Sequence, residues 1–488
     1  MILASGEGLT TLVGLVSVMV LARLFTKEDY ATYRQTFLAY QFLGPLVSLG
    51  LPGALFYFLP TEKERPRAVL LENVLLLAAG GALISLFLLF GGNYLLARWF
   101  DNPELATTLG IFAPYPLVML PASAFGACLL ASGHATTVAV FHVLSRATVL
   151  GCVLLPVLLV PRPAMAVTGY VSGSILTSLV GLRLMFRACR GGPWRPSAAG
   201  IKSQLGYSVP IGLGGLIGGF ERNLDKLLVS AMCGPAAFAV YVNGAMEIPF
   251  IGLITGSVTS VLVVDYTKLY AEGRTDEIIR LIHSAMVKCG LILIPLMFFL
   301  LVTAPEVMGL LYGPTYVESA SVFRVYLLLL PMRTSTFGAL LRATGHSHYI
   351  LIQAVLTLVA NAILTWVALQ LFGPIAAAVA TVVVVWLVAV PYLLVQFRRI
   401  LRCPIHAVFP WRSMAKLLLA AGVPAALLPP ALLALPTDSP IMVITIAAAV
   451  YCLLAMPIFV RVGLLDLETV IRRARSLGAA AGSRFGVW

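Results

Sequence analysis

The sequence predicts an all-α polytopic membrane protein with about 14 transmembrane helices, and three observations carry that expectation. First, 60% of the 488 residues are hydrophobic and only 11% are charged, with a mean hydropathy of +0.97; a soluble domain carries about 25% charged residues. Second, apolar runs long enough to cross a roughly 30 Å hydrocarbon core recur along the whole chain. Third, Lys and Arg collect in alternate loops between those runs, the bias that orients a multi-pass protein. The net charge of +13 is thereby absorbed by topology, and nucleic acid is not expected as a partner.

Taken in order, the spans fall at 4–22, 36–59, 69–91, 108–130, 136–160, 164–185 and 208–232, then at 237–263, 282–304, 322–341, 348–370, 373–396, 414–435 and 440–460. The start of the chain has Glu7 and no basic segment, so the first span is expected to be retained rather than cleaved as a signal peptide. With the N-terminus inside, 22 Lys and Arg lie in inward loops and 6 in outward ones, Arg34 among the latter. Both termini are therefore expected on the cytoplasmic side of the membrane. Cys128, Cys152, Cys289 and Cys452 fall within spans, Cys233 at a span end, and Cys189 and Cys403 in basic loops. No CxxC occurs, so neither a disulfide framework nor a metal site is indicated.

The seventh span organises the chemistry. It is apolar and Gly-rich, yet it contains Glu221, Arg222, Asp225 and Lys226. A helix rises about 18 Å from Pro210 to Arg222, past the middle of the hydrocarbon core. Each charge there costs about 2.5–3.5 kcal/mol on insertion scales, so all four must face protein or a water-filled cavity. At i,i+4 spacing Glu221 and Asp225 form an acidic row beside the basic row of Arg222 and Lys226. That pattern suits a neutralised structural cluster or the lining of a transport path. Gly214 with Gly218, and Gly215 with Gly219, have the spacing of close helix packing.

Internal repetition divides the chain. Ser123-Ala-Phe-Gly-Ala-Cys-Leu-Leu-Ala-Ser-Gly-His134 matches Ser335-Thr-Phe-Gly-Ala-Leu-Leu-Arg-Ala-Thr-Gly-His346, and Asp29–Tyr33 resembles Ala237–Tyr241. The expected organisation is a six-helix lobe at 1–185, a basic cytoplasmic linker at 186–207 and a second six-helix lobe at 208–397. Spans thirteen and fourteen follow within 398–461, then a basic cytoplasmic tail at 462–488. Six spans per repeat give both lobes one topology, related by a pseudo-twofold axis along the membrane normal.

The motifs ARLFTKEDYATYRQ, LGLPGALFYFLP, NLDKLLVSAMCGPAAFAVY, GLLYGPTYVESASVFRVY and LLRATGH follow one another in that order. Together they resemble the polysaccharide-transporter branch of the multidrug/oligosaccharidyl-lipid/polysaccharide (MOP) flippase superfamily, the group of the O-antigen flippases. The resemblance covers the whole chain and implies a flippase for an undecaprenyl-diphosphate-linked oligosaccharide in polysaccharide or lipopolysaccharide assembly. It also implies two lobes rocking around a central cavity, with the prenyl tail along spans thirteen and fourteen. In that family Asp225 matches a recurring acidic position.

The residues read by themselves agree on the chemistry. A diphosphate needs sheltered cations, Arg for bidentate pairing and Lys as a point charge. The mid-span candidates for substrate binding are Arg146, Arg222, Lys226, Lys288 and Arg333. Glu221, Asp225 and Glu247 are ion-coupling or charge-compensating candidates, and coupling to H⁺ or Na⁺ stays open. Lys288 has an interfacial snorkelling reading, Glu72 reads as an interfacial carboxylate, and His134 and His346 read as turn caps. A multidrug cation antiporter, a lipid-linked peptidoglycan precursor flippase and a membrane glycan polymerase or ligase are the alternatives. Membrane lipids are partners, and other polysaccharide-assembly proteins are candidate ones. No phosphate-binding Gly-rich loop or nucleophile motif occurs, so neither a catalytic centre nor a cofactor is expected.

Overall fold

A computed structural model describes residues 2–464 apart from 190, 249, 336 and 434–438. The basic tail beyond 464, Arg190, Pro249 and the last two residues of span thirteen therefore lie outside the described residues. Within them the protein is all-helical, and each expected span is met by helix. The first five are Ile2–Leu24, Lys27–Ser48 with Leu51–Thr61, Pro66–Phe87 continuing to Trp99, Glu104–Phe112 with Pro114–Ala122 and Phe125–Ala131, and Ala135–Leu159. The sixth to ninth are Pro163–Ala188, Ala198–Met232, Gly234–Gly244 with Ile251–Ala271, and Thr275–Val302. A tenth, in short pieces from Ala304 to Ala343, precedes His348–Phe372, Pro374–Leu401, Trp411–Leu433 and Pro440–Arg461. Among the described residues, ten of these stretches are long and apolar enough to cross a membrane by length and composition. The seventh carries four charges within 221–226, and the eighth and tenth are broken into shorter helices. The chain is a multi-pass membrane protein.

The described residues form two compact units. One holds the chain up to Ile254, Leu311–Val322 and His348–Ala389; the other holds Thr255–Leu310, Phe323–Ser347 and the chain from Val390 onward. In the first unit, spans five and six approach closely because a Cβ on Gly169 would overlap the carbonyl of Cys152. Span three packs on Pro114–Ala122, and span seven packs on span eleven. In the second unit Thr275–Val302 packs on Trp411–Leu433, which packs on Pro440–Arg461. His283 Nε2 donates to the Ala407 carbonyl at 2.8 Å, and Tyr451 donates to Ala421 at 3.0 Å.

The matched segments of the repeat end in the same turn. Helix Phe125–Ala131 is closed by Gly133 at φ 81°, with His134 N–H bonded to Leu129 O at 2.8 Å. Helix Phe337–Ala343 is closed by Gly345 at φ 76°, with His346 N–H bonded to Leu341 O at 2.9 Å. Both are Schellman caps, in which glycine takes the left-handed position without a Cβ penalty.

Candidate functional site

The second span positions the site. Thr26 caps it, accepting from Asp29 N at 3.1 Å, and Glu28 and Asp29 complement the positive end of the helix. The helix therefore starts at Lys27 and carries Arg34 two turns inside it, not in the outward loop that the apolar run implied. Its buried face is polar: Thr32, Gln35 and Thr36 are at most 1% exposed. Gln35 donates to Ser230 Oγ at 2.9 Å, and Asn102 donates to Thr32 and Gln35 at 2.8 and 2.6 Å. Tyr30 donates to Asn243 Oδ1 at 2.7 Å, and Arg34 Nη1 donates back to Tyr30 OH at 3.3 Å. These bonds fasten span two to spans seven and eight, so Arg34 projects from a fixed base.

Beside Arg34 lies a cavity of about 370 Å³, lined from spans one, two, five, six, seven and eight. Arg34, Arg146 and Lys226 contribute three positive charges, and no acidic residue is among its described lining. None of the three makes an ion pair with a carboxylate among the described residues. Tyr33, Phe37 and Tyr170 form the aromatic wall, with Phe37 edge-on to Tyr170 at 4.5 Å and to Tyr33 at 4.8 Å. Gln41 and Asn223 add neutral hydrogen-bonding groups. Three unneutralised cations in one partly desolvated space repel one another, and a bound polyanion relieves that repulsion. Arg also offers the fork that matches phosphate oxygens.

Two of the five cations read from the sequence, Arg146 and Lys226, thus meet in the cavity. Arg222 lies one turn away on the same helix, but its guanidinium leans back over Gly218, 3.7 Å from where a Cβ there would sit. Helical side chains point toward the N-terminus, which takes this one off the cavity wall. Arg333 and Lys288 belong to the second unit. Arg333 ends the short helix Leu330–Arg333 at a break in span ten, and Lys288 is exposed on Thr275–Val302. Glu247 sits in the non-helical break of span eight, three residues before Phe250 at φ 72°.

The two acids of span seven have separate partners. Asp225 is 1% exposed and accepts from Tyr241 OH at 2.6 Å. Glu221 accepts from Thr357 Oγ1 at 2.5 Å and Gln353 Nε2 at 3.5 Å, both on span eleven. The acidic row thus reaches two neighbours, Asp225 towards Tyr241 and Glu221 towards span eleven. Glu72, near the start of span three, is fully buried. It accepts from Arg65 at 2.5 Å and from Ser197 N at 2.8 Å, while Gln204 donates to its second oxygen at 3.2 Å. Arg34 is the functional candidate that counting apolar runs misses. The Thr26-x-x-Asp29 spacing is the signal that finds it, because it marks a helix start at Lys27.

The family model for polysaccharide biosynthesis proteins matches residues 1–263, more than half of the chain. The chain belongs to that family. No curated protein sequence matches it. Among solved structures it is similar to a lipid II flippase MurJ in an inward closed conformation, at 16% identity and a TM-score of 0.72, over 94% of this chain and 99% of that one. It is also similar to an inward-facing multidrug resistance MATE family transporter of the MOP superfamily, at 16% identity and a TM-score of 0.64, over 80% of this chain and 95% of that one. A MOP superfamily transporter from Pyrococcus furiosus, whose binding pocket is described as of reverse polarity, matches at 16% identity and a TM-score of 0.57, over 83% of this chain and 95% of that one. This polysaccharide biosynthesis family member therefore has the MOP transporter fold.

Proposed function

We propose that the protein flips an undecaprenyl-diphosphate-linked oligosaccharide from the cytoplasmic to the outer leaflet of a bacterial inner membrane, with both of its termini in the cytoplasm. The observation that carries this reading is the cavity of Arg34, Arg146 and Lys226 with no acid in its described lining, in a chain of the polysaccharide biosynthesis family. The diphosphate is held by those three side chains, and the aromatic wall with Gln41 and Asn223 faces the sugar. Arg222, Arg333 and Lys288 act on the headgroup along its route, and the lobes 1–185 and 208–397 are the parts that move. Asp225 and Glu247 serve to balance charge, and Glu221 is the group through which an ion gradient would act. Membrane lipids surround the protein, and a polysaccharide-assembly enzyme of the same membrane supplies the lipid-linked glycan.

A second reading, a lipid-linked peptidoglycan precursor flippase, is favoured by the 0.72 TM-score against the lipid II flippase. That substrate presents the same diphosphate to the same cations. A drug-cation antiporter is disfavoured, since three cations in the lining repel its substrate. Liposomes carrying a fluorescent undecaprenyl-diphosphate oligosaccharide or fluorescent lipid II separate the readings. Faster flipping of the oligosaccharide lipid is expected, and preferential flipping of lipid II selects the second reading. Movement of neither lipid rejects both.

A further inference from the structure

We infer that Cys128 and Cys189 are a site of reversible oxidation, closing a disulfide that staples the end of span six to span four. Their Sγ atoms lie 3.5 Å apart, both thiols are free, and the residues are 0% and 3% exposed. A disulfide needs about 2.05 Å between sulfurs, so each has under about 1 Å to move. No other pair of cysteines among the described residues is in such contact. The two are distant in sequence and form no CxxC, which is why spacing arithmetic does not pair them.

The site is built so that one thiol can be reached and activated. Cys189 follows the last residue of helix Pro163–Ala188, and Gly191 and Gly192 beyond it take φ of 102° and 69°. A helix end opens locally far more readily than its middle, which admits a small oxidant. The hydrogen bond from the Cys128 thiol holds the Cys189 thiol below its ordinary pKa and favours the thiolate. With hydrogen peroxide as oxidant, the Cys189 thiolate attacks one oxygen and the O–O bond breaks. Hydroxide leaves and takes a proton as water, and Cys189 becomes the sulfenic acid. The Cys128 sulfur then attacks Cys189 sulfur; the S–S bond forms, the S–O bond breaks, and the leaving hydroxide takes the Cys128 proton as a second water. Two electrons pass from the thiols to the peroxide.

The staple would act on the linker into span seven. Arg67 Nε donates to the Cys189 carbonyl at 3.4 Å, and its guanidinium lies 5.2 Å from the Trp194 ring centroid. Ser197, at the far end of the linker, caps span seven and bonds buried Glu72. The linker is thus held to span three non-covalently, and the disulfide adds a covalent hold on span four.

The test treats the purified full chain with hydrogen peroxide and maps disulfide-linked peptides by mass spectrometry, with Tm measured before and after. A linked peptide joining Cys128 to Cys189 is expected, together with a rise in Tm of about 5 °C. Dithiothreitol should reverse both, and Cys128→Ser and Cys189→Ser should show neither. Cys128→Ala serves if a serine variant is unstable when reduced. Absence of the linked peptide, or a peroxide-induced Tm rise that survives in either variant, overturns the inference. Neither readout depends on what the protein transports.

Discussion

Arg34, Arg146 and Lys226 reach one cavity from three different helices. On the proposed function, replacing either arginine by alanine removes a guanidinium fork suited to phosphate and is expected to slow flipping of the diphosphate lipid at least about tenfold. Arg34→Lys keeps the charge but loses the fork and the bond to Tyr30, so partial activity is expected between wild type and Arg34→Ala. Flipping at matched protein density checks both. Tyr241→Phe deletes a donor to buried Asp225 and is expected to lower stability by about 1–2 kcal/mol, read as a fall in Tm. Arg146 and Lys226 were legible in the sequence because a charge deep in an apolar run must be met by protein, water or ligand. Arg34 was hidden because hydropathy marks where lipid begins, whereas Thr26 and Asp29 mark where the helix begins.

At the scale of the element, the glycines of span seven divide in a way that spacing did not foresee. Nothing lies within 4 Å of a Cβ placed on Gly214, Gly215 or Gly219, so the small-xxx-small pairs make no close packing there. The close approach is at Gly212 instead, where a Cβ would overlap the backbone of Leu49 at the break in span two. That break, with Leu49 at φ 41° and Gly50 at φ 74°, is what brings the chain against span seven. Gly212→Ala is expected to destabilise by about 1 kcal/mol or more, on the order of other overpacked sites. Gly215→Ala should be neutral or stabilising by about 1 kcal/mol through helix propensity. Thermal melts of the two variants check the pair. Packing of this kind depends on which face meets which neighbour, and spacing within one helix carries only half of that information. The same holds for Glu72, whose partners Ser197 and Gln204 are more than a hundred residues away. Glu72→Ala leaves the charge of Arg65 without its buried acceptor, and a loss of about 3 kcal/mol is expected in the same melts.

At the scale of the molecule, the spans were legible because each must bury its backbone polar groups in helix while presenting apolar side chains to lipid. Where the chain departs from that rule it breaks, in span eight near Glu247 and in span ten near Arg333. Apolar counting reads through such breaks, because short helices and non-helical turns share the composition of long ones. The repeat was legible in a finer way, since both of its matched segments end in the same glycine-closed turn. The proposed cytoplasmic placement of the C-terminus is open to a direct check: a green fluorescent protein fused after Trp488 should fluoresce, and an alkaline phosphatase fused there should be inactive.

The central claim is that the cavity of Arg34, Arg146 and Lys226 carries a diphosphate-linked glycan across the bilayer. The most direct measurement is the rate at which a fluorescent undecaprenyl-diphosphate oligosaccharide becomes accessible to an impermeant quencher in liposomes. Wild type and the correctly inserted variant Arg34→Ala/Arg146→Ala would be compared. Rapid flipping by wild type, at least about a hundredfold faster than by the double variant, is the expected result. Equal rates for the two proteins, or export of an organic cation by a wild type that leaves the lipid unmoved, would contradict it.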